Sequence, residues 1–180
     1  DLYFFANPSP LYEAFEGYSI GVVAHHLPEF RKKRVWQGLY NVGWINFRRD
    51  DQGIKCLELW RDQCIDWCYE RYEDDKYADQ LYLDKWPQLF DRFNEFTHHG
   101  ANVAPWNIND YRLSINNKQV FMDDDPLLFF HFHGLKKISK KIYNTNLGIT
   151  LHPPHSIFKK HILEEYLNKL EYYSQRQDPT

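Results

Sequence analysis

The chain has 180 residues, of which 43% are hydrophobic and 18% aromatic, and its net charge near neutral pH is −3. This composition excludes a disordered or low-complexity chain, and the length fits one domain or a large piece of one. Because there is no excess of basic residues, nucleic acid is not an expected partner. The longest apolar run, at 127–132, is interrupted by His131 and is far shorter than the ~20 residues that cross a bilayer.

The chain begins at Asp1 without an initiator Met or a signal peptide, so we expect that an upstream part has been removed. All three cysteines lie between Cys56 and Cys68, and an odd number argues against a secreted disulfide framework. We therefore expect reduced thiols in a cytosolic setting. Cys64 and Cys68 are spaced to bind a metal in principle, but the helix carries no further ligand at zinc-site spacing, which favours buried structural thiols.

The first part of the chain predicts three strands. Residues 1–5 form a short apolar run that ends at a Pro-rich turn, and residues 18–24 are rich in β-branched side chains. The polar stretch 25–37 includes the basic cluster 31–34, for which a solvated charged face is favoured over a phosphate or lipid-headgroup site. A third strand is predicted at 39–47.

A long helix is predicted at 52–72, capped by Asp50 and Asp51. Its apolar side recurs at three- and four-residue steps and is expected to face a core: Leu57, Trp60, Cys64, Trp67, Cys68 and Tyr72. A shorter helix is predicted at 78–86, stopped by Pro87.

The second half predicts a hairpin at 113–121, a buried strand at 127–132 and a terminal helix at 156–173, followed by a frayed tail at 174–180. Strands that alternate with helices indicate an α/β fold. Because of the hairpin and the short connections, we expect a mixed sheet flanked by helices.

Asp1 is the first residue that points to chemistry, because a carboxylate beside a buried strand is costly unless it is paired or bound to a metal. The run Asp-Leu-Tyr-Phe-Phe with its Pro-rich turn resembles the sequence after the first Asp of the Asp-X-Asp motif in GT-A glycosyltransferases. The resemblance implies that Asp1 is the second carboxylate of that motif and a ligand of Mn²⁺ or Mg²⁺, which neutralises the diphosphate leaving group.

The stretch 40–47 is similar to the Phe-Asn-X-Gly strand of the retaining transferases related to glycogenin and to lipopolysaccharide galactosyltransferases. The resemblance implies that Asn41 and Gly43 contact the donor or acceptor, the glycine by allowing close backbone approach and the amide by bonding sugar hydroxyls. Taken alone, the pair is equally typical of an ordinary Asn-Gly turn.

The dipeptide Asp79-Gln80 matches the Asp-Gln element of the same family, which implies that Asp79 and Gln80 form the catalytic centre and stabilise an oxocarbenium-like transition state. Without the family, two polar residues on a helix are expected to face solvent. The loop 100–107 resembles the family's Trp-Asn element, which implies that Trp106 and Asn107 bind sugar.

The segment 131–137 fits the family pattern His-X-X-Gly-X-X-Lys. The resemblance implies that His131 is a metal ligand, that Gly134 lets the backbone approach the pyrophosphate, and that Lys137 is the phosphate-binding cation. His133 is the alternative ligand, and only one of the two histidines is expected to point at the metal. The Pro-Trp that follows the Lys in the family is absent. Taken alone, the segment is equally typical of a strand end with exposed histidines and solvated lysines.

These five motifs occur in the family's order over residues 1–137. The resemblance implies the C-terminal, acceptor-side part of a GT-A Rossmann-like fold that lacks its nucleotide-binding half and is inactive alone. It implies hexose transfer from a nucleotide diphosphate sugar to a glycan or lipid-linked acceptor in surface polysaccharide synthesis, in the cytoplasm, with peripheral association at the inner face of the membrane left open. A non-catalytic carbohydrate-binding domain and, less favoured, a metal hydrolase that uses the same histidines are the alternatives.

Overall fold

A computed structural model describes residues 1–27, 36–140, 142–147 and 155–177. The basic cluster predicted at 31–34 and the last residues of the predicted tail, 178–180, lie outside the described residues. In chain order, the elements are β1 (Leu2–Phe4), α1 (Ser9–Ala14), β2 (Ile20–Ala24), β3 (Tyr40–Phe47), α2 (Asp51–Asp66), a 3-10 helix (Leu81–Lys85), α3 (Trp86–Leu89), β4 (Phe93–Phe96), a second 3-10 helix (Ile108–Asp110), β5 (Leu113–Asn116), β6 (Gln119–Met122), β7 (Asp125–Pro126), β8 (Phe129–His131), β9 (Lys136–Ser139), β10 (Ile142–Asn144), a π-helical segment (Phe158–Leu163) and α4 (Glu164–Gln177).

The described strands form small sheets of two or three strands rather than one continuous sheet. In the largest mixed sheet, β2 lies in the centre, antiparallel to β3 and parallel to β4. The predicted mixed α/β class is therefore confirmed. Strand β4 was not predicted, since Phe93–Phe96 alternates aromatic and polar residues over only four positions.

The pairing of β2 with β3 contains an irregularity that matters for the site. Val22 pairs with Ile45, but the next residue, Val23, pairs with Asn41. Residues 42–44 therefore bulge out of the ladder, and a bulge of this kind bends a strand and re-aims its side chains. Gly43 lies in the middle of the bulge.

A two-stranded antiparallel sheet joins the start of the chain to its second half. In the β1–β8 ladder, Leu2 lies opposite His131 and Tyr3 opposite Phe130. The ladder is extended by one further backbone hydrogen bond, from the Phe132 amide to the Asp1 carbonyl, at 2.8 Å. This register brings Asp1 next to His131, the two residues that the sequence predicted as metal ligands.

Helix α2 begins as predicted but ends earlier. The Asp50 side chain caps it by accepting from the Gly53 amide at 3.0 Å. The helix ends at Asp66 instead of residue 72, because Trp67 is extended and its carbonyl accepts a hydrogen bond from the Tyr82 hydroxyl at 2.7 Å.

The predicted inward side of α2 is also partly wrong. The helix buries Gly53 and Cys56, whereas Leu57 and Tyr72 are exposed. The reason is a close approach of backbones at Gly53, where a Cβ would lie 2.1 Å from the Arg48 carbonyl oxygen and 2.9 Å from that of Ser19. The contact point of the helix was thus decided by a glycine rather than by its large apolar side chains.

The helix predicted at 78–86 is a 3-10 helix over Leu81–Lys85 followed by α3. Pro87 does not stop it but lies in the first turn of α3, where the missing N–H of proline costs nothing. The predicted hairpin is confirmed: β5 and β6 pair with Asn116 opposite Gln119, and Asn117 and Lys118 take the positive φ values of a tight turn.

The C-terminal helix is confirmed but extends further than predicted. The helix continues to Gln177, so residues 174–177 are helical and not part of a frayed tail. It is attached to the rest of the fold through Phe158, which is buried against Phe130, and through Tyr166, which stacks on Phe132 with ring centroids 3.9 Å apart. Within the described ranges, no helix combines the length and the apolar character needed to cross a membrane.

Candidate metal centre and adjoining pocket

Three potential metal ligands converge where β1 and β8 pair. Asp1, His131 and His133 each offer a ligand atom, and these atoms all lie within 4.8 Å of one another. Asp1 Oδ1 and His131 Nε2 are 3.1 Å apart. His133 was predicted as an alternative to His131, but the structure brings both to the same place, with ring centroids 5.7 Å apart. Residues two apart share a face of an extended chain, so the two histidines need not exclude each other.

Asn102 determines which nitrogen of His131 carries the proton. The Asn102 amide nitrogen donates to the Ala24 carbonyl at 3.2 Å, so its oxygen faces His131 Nδ1, at 3.4 Å. An amide oxygen can only accept, so the proton of a neutral imidazole lies on Nδ1. His131 Nε2 then presents a lone pair to the carboxylate of Asp1.

His131 is neutral at physiological pH. Burial, followed by the charge of neighbouring His133, lowers its pKa from the usual 6.5 to about 4. Two acceptor atoms therefore face each other at 3.1 Å, an arrangement that is favourable when a cation lies between them. A second ring nitrogen held by a hydrogen bond is also the usual condition of a metal-bound histidine. The residues therefore fit a divalent cation.

Gly43 makes room for this arrangement rather than for a ligand. A Cβ at position 43 would lie 2.6 Å from Asn102 Oδ1, 2.8 Å from Asn41 Oδ1 and 3.3 Å from His131 Nδ1. The Gly43 amide donates to Asn41 Oδ1 at 2.9 Å. The expected close backbone approach is real, but its partners are the amides behind His131.

The turn after His133 is held by Asn146. Gly134 has a φ of +72°, and a Cβ there would lie 2.6 Å from the amide nitrogen of Asn146. That same nitrogen donates to the His133 carbonyl at 3.1 Å. The space above Gly134 is thus filled by a side chain, which does not agree with the expectation that the pyrophosphate approaches there.

A polar pocket of about 680 Å³ adjoins the two histidines. Most of the residues selected from the sequence line it, and they come from four separate stretches of chain: Asn41, Asp79, Gln80, Trp106, His131 and His133. A pocket of this size falls within the range that holds a small-molecule ligand.

Asp79 and Gln80 face this pocket from the turn before the first 3-10 helix. Two hydrogen bonds from side chains to the backbone hold the turn. The Trp60 indole donates to the Asp79 carbonyl at 2.8 Å, and the Gln80 side-chain amide donates to the Gln37 carbonyl. Burial, followed by the charges of Cys68 and Asp79, raises the pKa of the Cys64 thiol to about 12. Both residues are half-buried, not solvent-facing.

Trp106 lines the pocket, whereas the neighbouring Asn107 is buried and does not line it. Trp106 packs edge-on against the rings of His131 and His133 and donates to the His25 carbonyl at 3.0 Å, so it forms a wall of the pocket. Asn107 is only 1% exposed, and its amide group bonds the Ala104 amide and the Asn102 carbonyl. The prediction that Asn107 contacts a sugar is therefore corrected: it shapes the loop that carries Asn102.

Lys137 lies outside the pocket. It is an exposed residue of β9 whose Nζ is 5.9 Å from the Tyr143 ring centroid. With Asp1, Gly134 and Tyr143 it lines a separate groove of about 290 Å³. The structure thus places Lys137 beside Asp1 but apart from Asp79 and Gln80.

The cysteines are not uniformly buried, as had been expected. Cys56 is buried, Cys64 is half-buried and Cys68 is exposed beyond the end of α2. Cys68 also lines the pocket that adjoins the two histidines.

Sequence reasoning missed three contributors to this site: His25, Asn102 and Asn146. Asn102 is fully buried and has a φ of +55°, a conformation that asparagine tolerates better than most residues. The Gly-Ala-Asn stretch in a loop was the available signal for it. His25 is buried against Trp106, and burial lowers its pKa to about 4.

Two proteins of Bacillus subtilis (strain 168) are similar to this chain. The uncharacterized protein YfnF is 33% identical over 157 residues, which are 81% of this chain and 52% of YfnF. The uncharacterized protein YfnD is 29% identical over 147 residues, which are 80% of this chain and 47% of YfnD. The chain therefore spans about half the length of these curated relatives. No family model and no solved structure matches it.

Proposed function

We propose that this chain is the acceptor-side part of a metal-dependent, nucleotide-sugar-using glycosyltransferase of the GT-A type. In this proposal a hexose passes, with retention of configuration, from a nucleotide diphosphate sugar to a hydroxyl of a glycan or lipid-linked acceptor. The observation that carries the proposal is the convergence of Asp1, His131 and His133 beside a pocket lined by Asp79 and Gln80. A cytoplasmic location in surface polysaccharide synthesis completes the proposal.

The proposed metal site consists of Asp1 and His131, with His133 as a third ligand. A bound Mn²⁺ or Mg²⁺ supplies charge neutralisation of the diphosphate leaving group. Asn102 holds His131 with its lone pair toward Asp1, and Gly43 leaves space for that amide. Lys137, in the groove beside Asp1, is positioned to offset further negative charge.

In the pocket, the carboxylate of Asp79 is proposed to stabilise positive charge at the reacting carbon of the sugar. The side chain of Gln80 is proposed to position the hydroxyls of the sugar. Such preorganised polar groups act strongly in a pocket that excludes water. Asn41 and Trp106, which also line the pocket, are proposed to orient the sugar through an amide and an aromatic edge.

Metal binding by this chain tests the first half of the proposal. Titration with Mn²⁺, followed by calorimetry and by electron paramagnetic resonance, is expected to reveal one site. Replacing a ligand, as in Asp1→Asn or His131→Ala, is expected to lower the affinity at least about tenfold, since even indirect partners of a metal are worth that much. Asp124→Asn, at a side chain that is 95% exposed, is the matched control. Equal Mn²⁺ affinity of the unchanged chain, the two ligand variants and the control variant would refute the metal site.

Turnover by a longer protein that contains this chain tests the second half. With Mn²⁺ and a panel of nucleotide sugars, we expect hexose transfer or slow hydrolysis of one donor, and loss of kcat on the order of 100-fold in Asp79→Asn. The chain alone is expected to bind nucleotide sugars weakly or not at all. Full activity without a divalent cation would count against the proposal.

A carbohydrate-binding domain without catalysis is the second candidate, and one observation favours it. Trp36 packs edge-to-face with Tyr72 and Tyr77, and the cluster borders a surface cleft of about 280 Å³. Aromatic side chains beside carboxylates suit sugar recognition. Glycan binding that persists in a chelator and in the Asp1→Asn variant, without nucleotide-sugar turnover, would support this candidate instead.

A further inference from the structure

Basic and acidic residues are strongly segregated along this chain. Residues 126–163 contain six lysines and no Asp or Glu, although the net charge of the whole chain is −3. Three of the lysines, Lys136, Lys137 and Lys140, are exposed in or beside the hairpin of β9 and β10. Among the described residues, this hairpin is therefore a locally cationic surface on a chain of net negative charge, which favours an anionic partner at that surface.

The two faces of this hairpin differ. Lys137 lies opposite Tyr143 in the ladder, and both side chains line the groove beside Asp1. The ladder shifts register between Ile142 and Tyr143, which leaves Ile138 without a partner opposite it. Lys136 and Ile138 flank Lys137 on β9 and Ile142 precedes Tyr143 on β10, so we place these three side chains on the face away from the groove, and none of them lines it. The carboxylates that line the groove, Asp1 and Glu171, are on the inner side. The outward face thus combines lysines with isoleucines.

The two isoleucines of this face are mostly exposed to solvent. Ile138 is 65% and Ile142 is 61% accessible to solvent. Two large aliphatic side chains at the tip of a small two-stranded sheet forgo the free energy that burial would give, and such paired exposure marks an interaction surface. Neither residue packs in the described hydrophobic clusters of the protein.

We propose that the outward face of the β9–β10 hairpin, formed by Lys136, Ile138, Lys140 and Ile142, binds the surface of an anionic lipid bilayer. Lysine side chains place their charged ends among the headgroup phosphates while their stems lie along apolar surface. The isoleucines enter the boundary between headgroups and acyl chains, a contact that a nucleic acid or a soluble anion does not offer. Binding at this face leaves the inner groove with Asp1 and Lys137 beside the membrane.

Co-sedimentation of the chain with vesicles tests this inference. We expect binding to vesicles of phosphatidylglycerol mixed with phosphatidylcholine, little binding to pure phosphatidylcholine, and weakening as salt is raised. The double variant Lys136→Gln, Lys140→Gln should lower the partition coefficient about 25-fold, roughly fivefold for each lysine. The double variant Ile138→Ser, Ile142→Ser should lower it at least about fivefold at unchanged charge.

Matched controls come from helix α2. Lys55→Gln removes an exposed lysine, and Ile65→Ser removes an isoleucine that is even more exposed than those of the hairpin. Both should bind vesicles like the unchanged chain, and thermal melting should show that every variant folds, since all four hairpin residues are exposed. Equal effects of the control and hairpin variants would overturn the inference. Binding to a labelled DNA duplex, unaffected by the isoleucine variant and without vesicle binding, would overturn it in favour of a nucleic-acid surface.

Discussion

His131 holds its proton on the nitrogen that faces away from Asp1. This follows from Asn102, whose nitrogen is already bonded to the Ala24 carbonyl and whose oxygen is left for the imidazole. A single buried amide therefore decides whether the facing pair of Asp1 and His131 can accept a cation. The pair itself was predicted from motif order, but this tautomer could not be, because it depends on contacts between residues 24, 102 and 131.

The buried histidines should make the protein sensitive to mild acid. The pKa of His25 and of His131 is about 4 in the folded chain, below the usual value of 6.5 for an unfolded one. As pH falls from about 6.5 to about 4, the unfolded chain takes up protons that the folded chain does not, so the free energy of unfolding decreases. Each histidine contributes up to about 1.4 kcal/mol per pH unit in that window.

Urea unfolding at pH 7 and at pH 5 measures this effect, and His25→Gln should reduce the slope of stability with pH. Above pH 7 both histidines are neutral in the folded and in the unfolded chain. The free energies of unfolding of the unchanged chain and of His25→Gln should therefore differ by a constant amount there. A slope that is unchanged by the substitution would show that His25 does not resist protonation in the fold.

At the scale of an element, the bulge of β3 is the feature that joins the central sheet to the candidate metal centre. It places Asn41 and Gly43 against Asn102 and His131. A regular ladder would instead pair residues 42–44 with β2 and point alternate side chains away from the histidine. The bulge thus has a positional role that the residue types alone do not reveal.

Gly43→Ala is expected to disturb this junction. The new Cβ would lie 2.6 Å from Asn102 Oδ1, so the amide must move and release His131. We expect a loss of about 1–3 kcal/mol of stability from overpacking, and a 10- to 100-fold loss of Mn²⁺ affinity through the displaced partner of the histidine.

Gly17→Ala provides the contrasting control. Gly17 has a φ of +83° and open space around it, so the substitution strains the backbone without touching the centre. It should lower stability by about 1 kcal/mol and leave Mn²⁺ affinity unchanged. If both alanine variants weakened metal binding equally, the effect would reflect general destabilisation rather than the contact with Asn102.

Elements with local signals were predicted well, and elements set by distant contacts were not. The Asp50 cap, the turn at Asn117 and the apolar side of the terminal helix all follow from neighbouring residues. The end of α2 depends on the hydroxyl of Tyr82. Strand β9 is fully exposed and begins with two lysines, and β10 has only three residues, so neither shows a strand pattern. These could not be derived from local periodicity.

At the scale of the whole molecule, the start of the chain is held in place by strand β8 and the terminal helix, which belong to the second half of the chain. Strand β8 contacts both β1 and the terminal helix: Phe130 lies opposite Tyr3 in the ladder, and its ring packs on that of Phe158, with centroids 5.5 Å apart. The position of His131 therefore depends on a helix that carries no candidate site residue. Two of the buried clusters of side chains adjoin each other at this strand, because Phe130 belongs to one and Phe129 to the other.

Phe158→Ala tests this dependence. Phe158 is 2% exposed, and removing its ring should cost about 3–5 kcal/mol of stability. At temperatures where the variant is still folded, we expect weaker Mn²⁺ binding, because β8 loses its backing. Tyr173→Ala, at a ring that is more than half exposed, should change neither property. A destabilised Phe158 variant with intact Mn²⁺ affinity would show that the pairing of β8 with β1 and with Val103 is enough to hold His131.

The β1–β8 ladder also limits how this protein can vary in length. Asp1 directly precedes Leu2, which lies opposite His131, so gaining or losing one residue within β1 would shift the carboxylate by one position along the ladder, away from the imidazole. The surface turn around Gly17 has open space and no such constraint. Insertions and deletions among natural variants should therefore collect in turns and spare the three residues that separate Asp1 from Phe5.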